Sequence, residues 1–218
     1  MKKRIISISI FFIIIISFGV SFAFFWPKVK METIKNGKQT LEEMFAKEGN
    51  FYVFFYRDDC RYCANVETEI EDFANTVELY RADSGFYNTN KYDWAEHEMK
   101  YDVEIGEIDE NGKIVFYHDL NEKNIMDMYP PVHYNIVLAT EGYVALHNEK
   151  EEGKVYAICT HPILNENDLQ SDNFVLPGIP MLVEFDDNRI VNYYFDDKEI
   201  LHFLNSETEP IGKYWNLD

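Results

Sequence analysis

Phe51-Tyr52-Val53-Phe54-Phe55-Tyr56-Arg57-Asp58-Asp59-Cys60-Arg61-Tyr62-Cys63 is the stretch that decides the fold. Its first six residues are a near-continuous apolar run, the pattern of a strand buried on both faces. The run leads straight into a C-x-x-C. Two thiols at that spacing, at the first turn of a helix, can close a small disulfide. The helix end offers free N–H groups and a partial positive charge, which favour the thiolate of Cys60. A strand that ends in C-x-x-C and enters a helix is where thiol–disulfide chemistry is mounted. Arg61 and Tyr62, between the cysteines, tune the pair: Arg61 favours a thiolate, whereas Asp58 and Asp59 oppose one by like-charge repulsion.

Working outward, Val66, Ile70 and Phe73 recur at helical spacing after Cys63, with Glu67, Glu69, Glu71 and Asp72 at solvated positions. Val77 to Ala82 reads as the next strand. Upstream, Leu41, Met44 and Phe45 predict a helix, with Thr40 as N-cap and Glu43 completing a capping box. Downstream, Pro177-Gly178-Ile179-Pro180 is a turn. Met181–Phe185 and Ile190–Phe195, joined by Asp186-Asp187-Asn188, read as a hairpin. Asp196 caps a final helix with Ile200, Leu201, Phe203 and Leu204 on one side.

About ninety residues, 84–174, separate these halves. Tyr92–Lys100 and Leu120–Met128 read as helices, the second stopped by Pro130-Pro131. Val103–Ile108 and Lys113–Tyr117 read as a hairpin around Asn111-Gly112, a dipeptide suited to a type I′ turn. Tyr134–Leu138 and Val155–Cys159 read as strands. The segment is too ordered for a linker and too long for a loop.

The chain opens Met1-Lys2-Lys3-Arg4 and then runs from Ile5 to Trp26 without a charge. That length suits a bilayer-spanning helix better than the shorter apolar region of a cleaved signal, although Ser21-Phe22-Ala23 offers a small-residue cleavage site. The basic residues stay on the cytoplasmic side, which places the rest of the chain outside the cytoplasm. Removing Lys2, Lys3 and Arg4 from the 20 basic residues leaves 17 against 39 acidic ones, a net charge near −22. So acidic a surface excludes nucleic-acid binding.

Cys60, Cys63 and Cys159 are the three cysteines among 218 residues, one close pair and one distant thiol. A disulfide-stapled exported domain carries a larger, even number. Three readings of the pair stay open: a redox couple, a structural disulfide, or half of a zinc site completed by Cys159 and His161 as C-x-x-C with C-x-H. A single C-x-x-C between strand and helix favours the redox couple. No cofactor and no metal ligand is therefore assigned. Cys159 sits in an apolar strand and reads as a buried thiol. His97, His118, His133 and His161 read as surface or hydrogen-bonded core histidines.

Phe54-Phe55-Tyr56, Cys60-Arg61-Tyr62-Cys63 and the distant Gly178-Ile179-Pro180, ahead of a hairpin and a helix, resemble the thioredoxin-like superfamily. Within it, the chain looks most like the membrane-anchored, exported thioredoxin-like proteins of Gram-positive bacteria, including the bacteriocin-transport accessory type. The resemblance implies an α/β, thioredoxin-like fold with a long mixed, β-rich insertion before the cis-Pro strand. The expected division is an anchor at 1–26, a tether at 27–36, a core at 37–83 and 175–205, an inserted subdomain at 84–174 and a tail at 206–218. It implies Cys60 as nucleophile, Cys63 as resolving thiol, and a cis bond before Pro180. Ile179 and Pro180, with Arg61 and Tyr62, would bind the substrate.

Two positions depart from the thioredoxin pattern. Asp58-Asp59 stand where a tryptophan commonly precedes the first cysteine, and Phe54 replaces a buried carboxylate. The insertion's placement is like that of periplasmic oxidases, although theirs is helical. The resemblance implies a protein thiol–disulfide oxidoreductase whose partners are the thiols and disulfides of exported proteins and a redox partner protein. The alternative is a tethered binding module, accessory to a secretion or bacteriocin system, with a structural disulfide.

Overall fold

The computed structural model describes residues 32–34, 37–86, 90–121, 123–147, 149–165, 169–205 and 215–216. The expected anchor at 1–26 lies outside them, as do the tether apart from 32–34 and the tail apart from 215–216. Among the described residues no helix is long and apolar enough to cross a membrane.

The first half runs β1 (Glu32–Ile34), α1 (Gly37–Ala46), β2 (Asn50–Tyr56), α2 (Arg61–Phe73) and β3 (Leu79–Asp83). Next come β4 (Asn90–Lys91), α3 (Trp94–Tyr101), β5 (Val103–Ile108), β6 (Ile114–Phe116), α4 (Ile125–Met128), β7 (Tyr134–Leu138), α5 (Glu141–Val144) and β8 (Lys154–Cys159). The chain returns through β9 (Val175–Leu176), β10 (Met181–Asp186), β11 (Arg189–Phe195), α6 (Asp196–Leu204) and β12 (Trp215–Asn216).

β2 is the central strand of a sheet ordered β1-β3-β2-β10-β11. It pairs parallel with β3 and antiparallel with β10, and all of its residues from Phe51 to Tyr56 are buried. Alternate side chains of a strand point to opposite faces. Phe51, Val53 and Phe55 therefore pack with Leu41 and Met44 of α1 and with Val183 and Phe185 of β10. Tyr52, Phe54 and Tyr56 pack on the other face with Cys63, Val66 and Ile70 of α2 and Ile200 of α6. Arg81 of β3 forms an ion pair with Glu67 of α2 and stacks over the Tyr56 ring, 4.2 Å from its centre. Strand, C-x-x-C, helix, parallel strand, then Pro180, hairpin and helix share one sheet, so the core is thioredoxin-like.

A second sheet, ordered β12-β7-β8-β5-β6, stands beside it. Ile105, Ile125, Ile136, Val155 and Ala157 form its own core. Lys150 makes a buried ion pair with Asp102 at 2.8 Å, and Asp102 also accepts the N–H of Cys159 at 2.9 Å. Both charges are thus paired, which burial requires.

Several expectations need correction. α1 begins at Gly37, so Thr40 stands inside its first turn and is not the N-cap. Residues 32–34, expected within the tether, form edge strand β1 against β3. The helix expected over Leu120–Met128 shrinks to Ile125–Met128. Asn121 and Asn124 accept nearby backbone N–H groups and hold a turn in its place. Asn111-Gly112 is not a type I′ turn: Asp109 accepts the N–H groups of Asn111 and Lys113, and only Gly112 has positive φ (76°). The two-residue turn with both φ angles positive is Asp187-Asn188, between β10 and β11.

Gly106 sits where β5 pairs with both β6 and β8, beside a register shift. A Cβ there would lie 2.7 Å from the Val115 carbonyl oxygen. Gly106→Ala should therefore cost about 1–3 kcal/mol, the usual penalty of overpacking. Urea denaturation checks this, and an unchanged midpoint would contradict the close approach of β5 to β6.

Candidate functional site

The helix that follows β2 starts at Arg61, and Cys60 is its N-cap. The sulfur of Cys60 accepts the N–H of Cys63 at 3.1 Å, one of the donors that a helix start leaves without an intrahelical partner. Cys60 and Cys63 are joined as a disulfide with Cα atoms 5.2 Å apart. Their exposure differs. Cys63 is 2% exposed and belongs to the α2-side core, while Cys60 lies at the edge of that core and reaches the surface. Of the two cysteines, Cys60 is therefore the one that meets solvent.

Tyr62 is 59% exposed, and Arg61 is exposed beside it. Both flank the disulfide on the solvent side. Asp58 and Asp59 are exposed too, and Arg57 pairs with Asp59. The Arg57 hydrogen bond holds the Asp59 carboxyl below its usual range. That pairing offsets part of the repulsion a Cys60 thiolate would feel. Phe54 is fully buried.

The bond between Ile179 and Pro180 is cis. Pro180 is buried, and Ile179 packs against both faces of the sheet, including the cluster that holds Cys60 and Cys63. The Pro180 carbonyl accepts the N–H of Asp196 at 3.1 Å, which brings the start of α6 to the same end of the sheet. Asn65 of α2 donates to Asp197 of α6 at 2.6 Å. Asp196 is the first residue of α6, with Phe195 at the N-cap position where the sequence placed Asp196; it has φ 61°, tolerable for aspartate, and its carboxylate accepts the Glu199 N–H at 3.0 Å. Burial pushes the Asp196 carboxyl up to about 6.

The four-ligand set of Cys60, Cys63, Cys159 and His161 is not assembled. Cys60 and Cys63 bond to each other. Cys159 is buried, and its thiol donates to the His161 carbonyl at 3.4 Å. Burial raises the Cys159 thiol above its ordinary range. His97 is a satisfied core histidine: one ring nitrogen lies 3.0 Å from the Cys159 carbonyl and the other 2.7 Å from the Tyr92 hydroxyl. A carbonyl only accepts, so Nε2 carries the proton and Nδ1 accepts from Tyr92.

His133, whose side chain is 37% exposed, and the more buried His161 are not isolated from each other. They meet Glu199, a carboxylate 6% exposed, where the second sheet touches α6. His161 Nδ1 is 2.9 Å from Glu199 Oε2, and His133 Nδ1 is 3.6 Å from Glu199 Oε1. The two imidazole rings are 4.7 Å apart, and His161 stacks on Tyr193. Burial lowers the His133 imidazole below its ordinary value, against the attraction of Glu199. Sequence spacing could not reveal this trio, because its members come from three separate elements.

No family model matches the chain, and no curated protein matches it. Among solved structures it is similar to a mutant thioredoxin from Halobacterium salinarum NRC-1. Identity is 12%, coverage 85% of this chain and 96% of that one, and the TM-score 0.34. It is also similar to the thioredoxin Mala s 13 of Malassezia sympodialis, at 8% identity, with 84% and 95% coverage and a TM-score of 0.36.

Burial and the raised thiol make Cys159 inert in the folded protein, since only an accessible thiolate reacts. The oxidised native protein should give no signal with a thiol-specific chromogenic reagent at pH 8. After denaturation without reductant it should give one thiol per chain. A full thiol equivalent in the native state would overturn the assignment.

Proposed function

We propose that the protein is a thiol–disulfide oxidoreductase working outside the cytoplasm, tethered by its N-terminal segment and exchanging disulfides with exported proteins. The observation that carries this reading is the unequal exposure of the two sulfurs at the start of α2. Cys60 is reachable from solvent and Cys63 is sealed in the core. A disulfide that served only to hold the fold would gain nothing from that asymmetry, whereas exchange chemistry depends on it.

In the oxidising direction, a substrate thiolate attacks the Cys60 sulfur. The Cys60–Cys63 bond breaks, its electron pair leaves on Cys63, and a mixed disulfide forms. A second substrate thiolate then attacks the substrate's own sulfur, closing its disulfide and releasing Cys60 as a thiolate. The Cys63 N–H and the helix N-terminus are placed to stabilise that thiolate. In the reducing direction, Cys60 attacks a substrate disulfide, and Cys63 then attacks the Cys60 sulfur of the mixed disulfide, freeing the substrate thiol. The potentials of the partner couples set the direction.

Ile179 and Pro180 form the rim against which a substrate backbone lies, and Arg61 and Tyr62 form the opposite, solvent-facing rim. Phe54 gives Cys63 no proton acceptor, so Cys63 depends on solvent reaching it once the mixed disulfide opens the site. The location rests on the 22 uncharged residues from Ile5 to Trp26 and the basic residues before them.

Cys60→Ser should reduce insulin-disulfide reduction and dithiol-peptide oxidation to the uncatalysed background. Cys63→Ser should accumulate mixed disulfides with exported proteins, visible as reductant-sensitive adducts on non-reducing gels. If the wild-type protein turns over neither substrate, the enzymatic reading fails.

A further inference from the structure

We infer that His133, His161 and Glu199 form a binding site for a divalent first-row metal ion, zinc in the first place. The site lies where the second sheet meets α6 and is separate from the disulfide chemistry. One ligand atom from each of the three residues lies within 4.8 Å of the others. Zinc bonds of about 2.0–2.2 Å to nitrogen and oxygen put tetrahedral ligand atoms about 3.4 Å apart. The two observed nitrogen–oxygen separations, 2.9 and 3.6 Å, bracket that value. The ligand atoms, all within 4.8 Å of one another, close on an ion by rotation of the imidazole rings. Two imidazoles and one carboxylate suit zinc, and three protein ligands leave a fourth position for water.

The trio is held in place before any ion arrives. The His133 carbonyl accepts the Thr160 N–H at 2.8 Å, which locks the ends of β7 and β8 together and sets both histidines at one end of the sheet. His161 lies flat against Tyr193, with ring centres 5.0 Å apart and planes inclined by 12°. The Tyr193 hydroxyl donates to the Pro162 carbonyl and accepts the Leu164 N–H, which pins the loop that carries His161. Glu199 Oε2 accepts the Phe195 N–H at 2.7 Å, which orients the carboxylate as an outer partner orients a metal ligand.

A second observation points to a missing ligand. Nδ1 of His133 is buried and has no hydrogen-bond partner, and at 3.6 Å it is too far from Glu199 for one. A buried ring nitrogen facing a carboxylate without bonding it is a poor structural device. It is a good ligand position, since a metal between them satisfies both. Binding would displace the proton shared by His161 and Glu199.

The test uses the full chain with the Cys60–Cys63 disulfide intact, so that its thiolates cannot hold the ion. After exposure to zinc sulfate and dialysis, elemental analysis should find one zinc per chain, and zinc should raise the melting temperature. His133→Ala and His161→Ala should each weaken zinc binding more than tenfold and abolish that shift. The Cys60→Ser, Cys63→Ser double variant should keep the zinc. Cobalt(II) should give the intense visible bands of a tetrahedral site in the wild type and not in His133→Ala. The wild type's failure to take up zinc would overturn the assignment whether or not the variants fold. So would wild-type zinc affinity in both histidine variants, or loss of zinc in the cysteine variant. Loss of redox turnover alone would leave this site untouched, and loss of zinc alone would leave the exchange chemistry untouched.

Discussion

Everything in this molecule is arranged around a strand that has no solvent face. From Phe51 to Tyr56 each side chain of β2 is buried, and five of the six are aromatic. Burying one such ring is worth about 2–3 kcal/mol, so both faces of the sheet must be covered for the strand to exist at all. α1 covers one face, and α2 with α6 covers the other. The position of the disulfide follows from that demand. α2 must start where β2 ends and fold back over Tyr52, Phe54 and Tyr56, so its first turn carries Cys63 inward and leaves Cys60 at the edge.

The same constraint explains which parts of the fold could be read from the sequence. β2, the C-x-x-C, α2 and the β10–β11 hairpin are written in local patterns: an apolar run, a helical repeat at Val66, Ile70 and Phe73, and a turn dipeptide. Features fixed by distant pairings left no such mark. β1 is a strand because β3 offers it a free edge, and Trp215–Asn216 joins β7 for the same reason. The false helix before Ile125 shows the opposite failure. Its apolar spacing was helical, but Asn121 and Asn124 satisfied the backbone with their own side chains. Each histidine taken singly reads as surface or hydrogen-bonded core, as His97 is, but the meeting of His133 and His161 left no local mark, since only the pairing of β7 with β8 puts them side by side.

The electrostatics of Cys60 are simpler than the sequence suggested. Four charged residues lie within three positions of it, Arg57, Asp58, Asp59 and Arg61, and all are exposed, where charge is strongly screened. Arg57 and Asp59 also pair with each other. What remains unscreened is the helix start itself, with the Cys63 N–H pointing at the Cys60 sulfur. The intervening dipeptide therefore acts on the potential from the water side, and the backbone acts from the protein side.

The start of α6 is where the two halves of the molecule are coupled. Its first turn bonds to the Pro180 carbonyl through Asp196, to α2 through Asp197, and to the second sheet through Glu199. Three elements thus meet in four residues, and each contact uses a different group, so none can shift without disturbing the others. An ion held by His133, His161 and Glu199 would fix the second sheet against this turn. It would thereby stiffen the rim formed by Ile179 and Pro180 beside the disulfide. The Asn65–Asp197 bond ties α2 to this same turn through a side chain that is not part of the Cys60–Cys63 link, so the disulfide end of α2 and the junction with the second sheet are held by separate contacts.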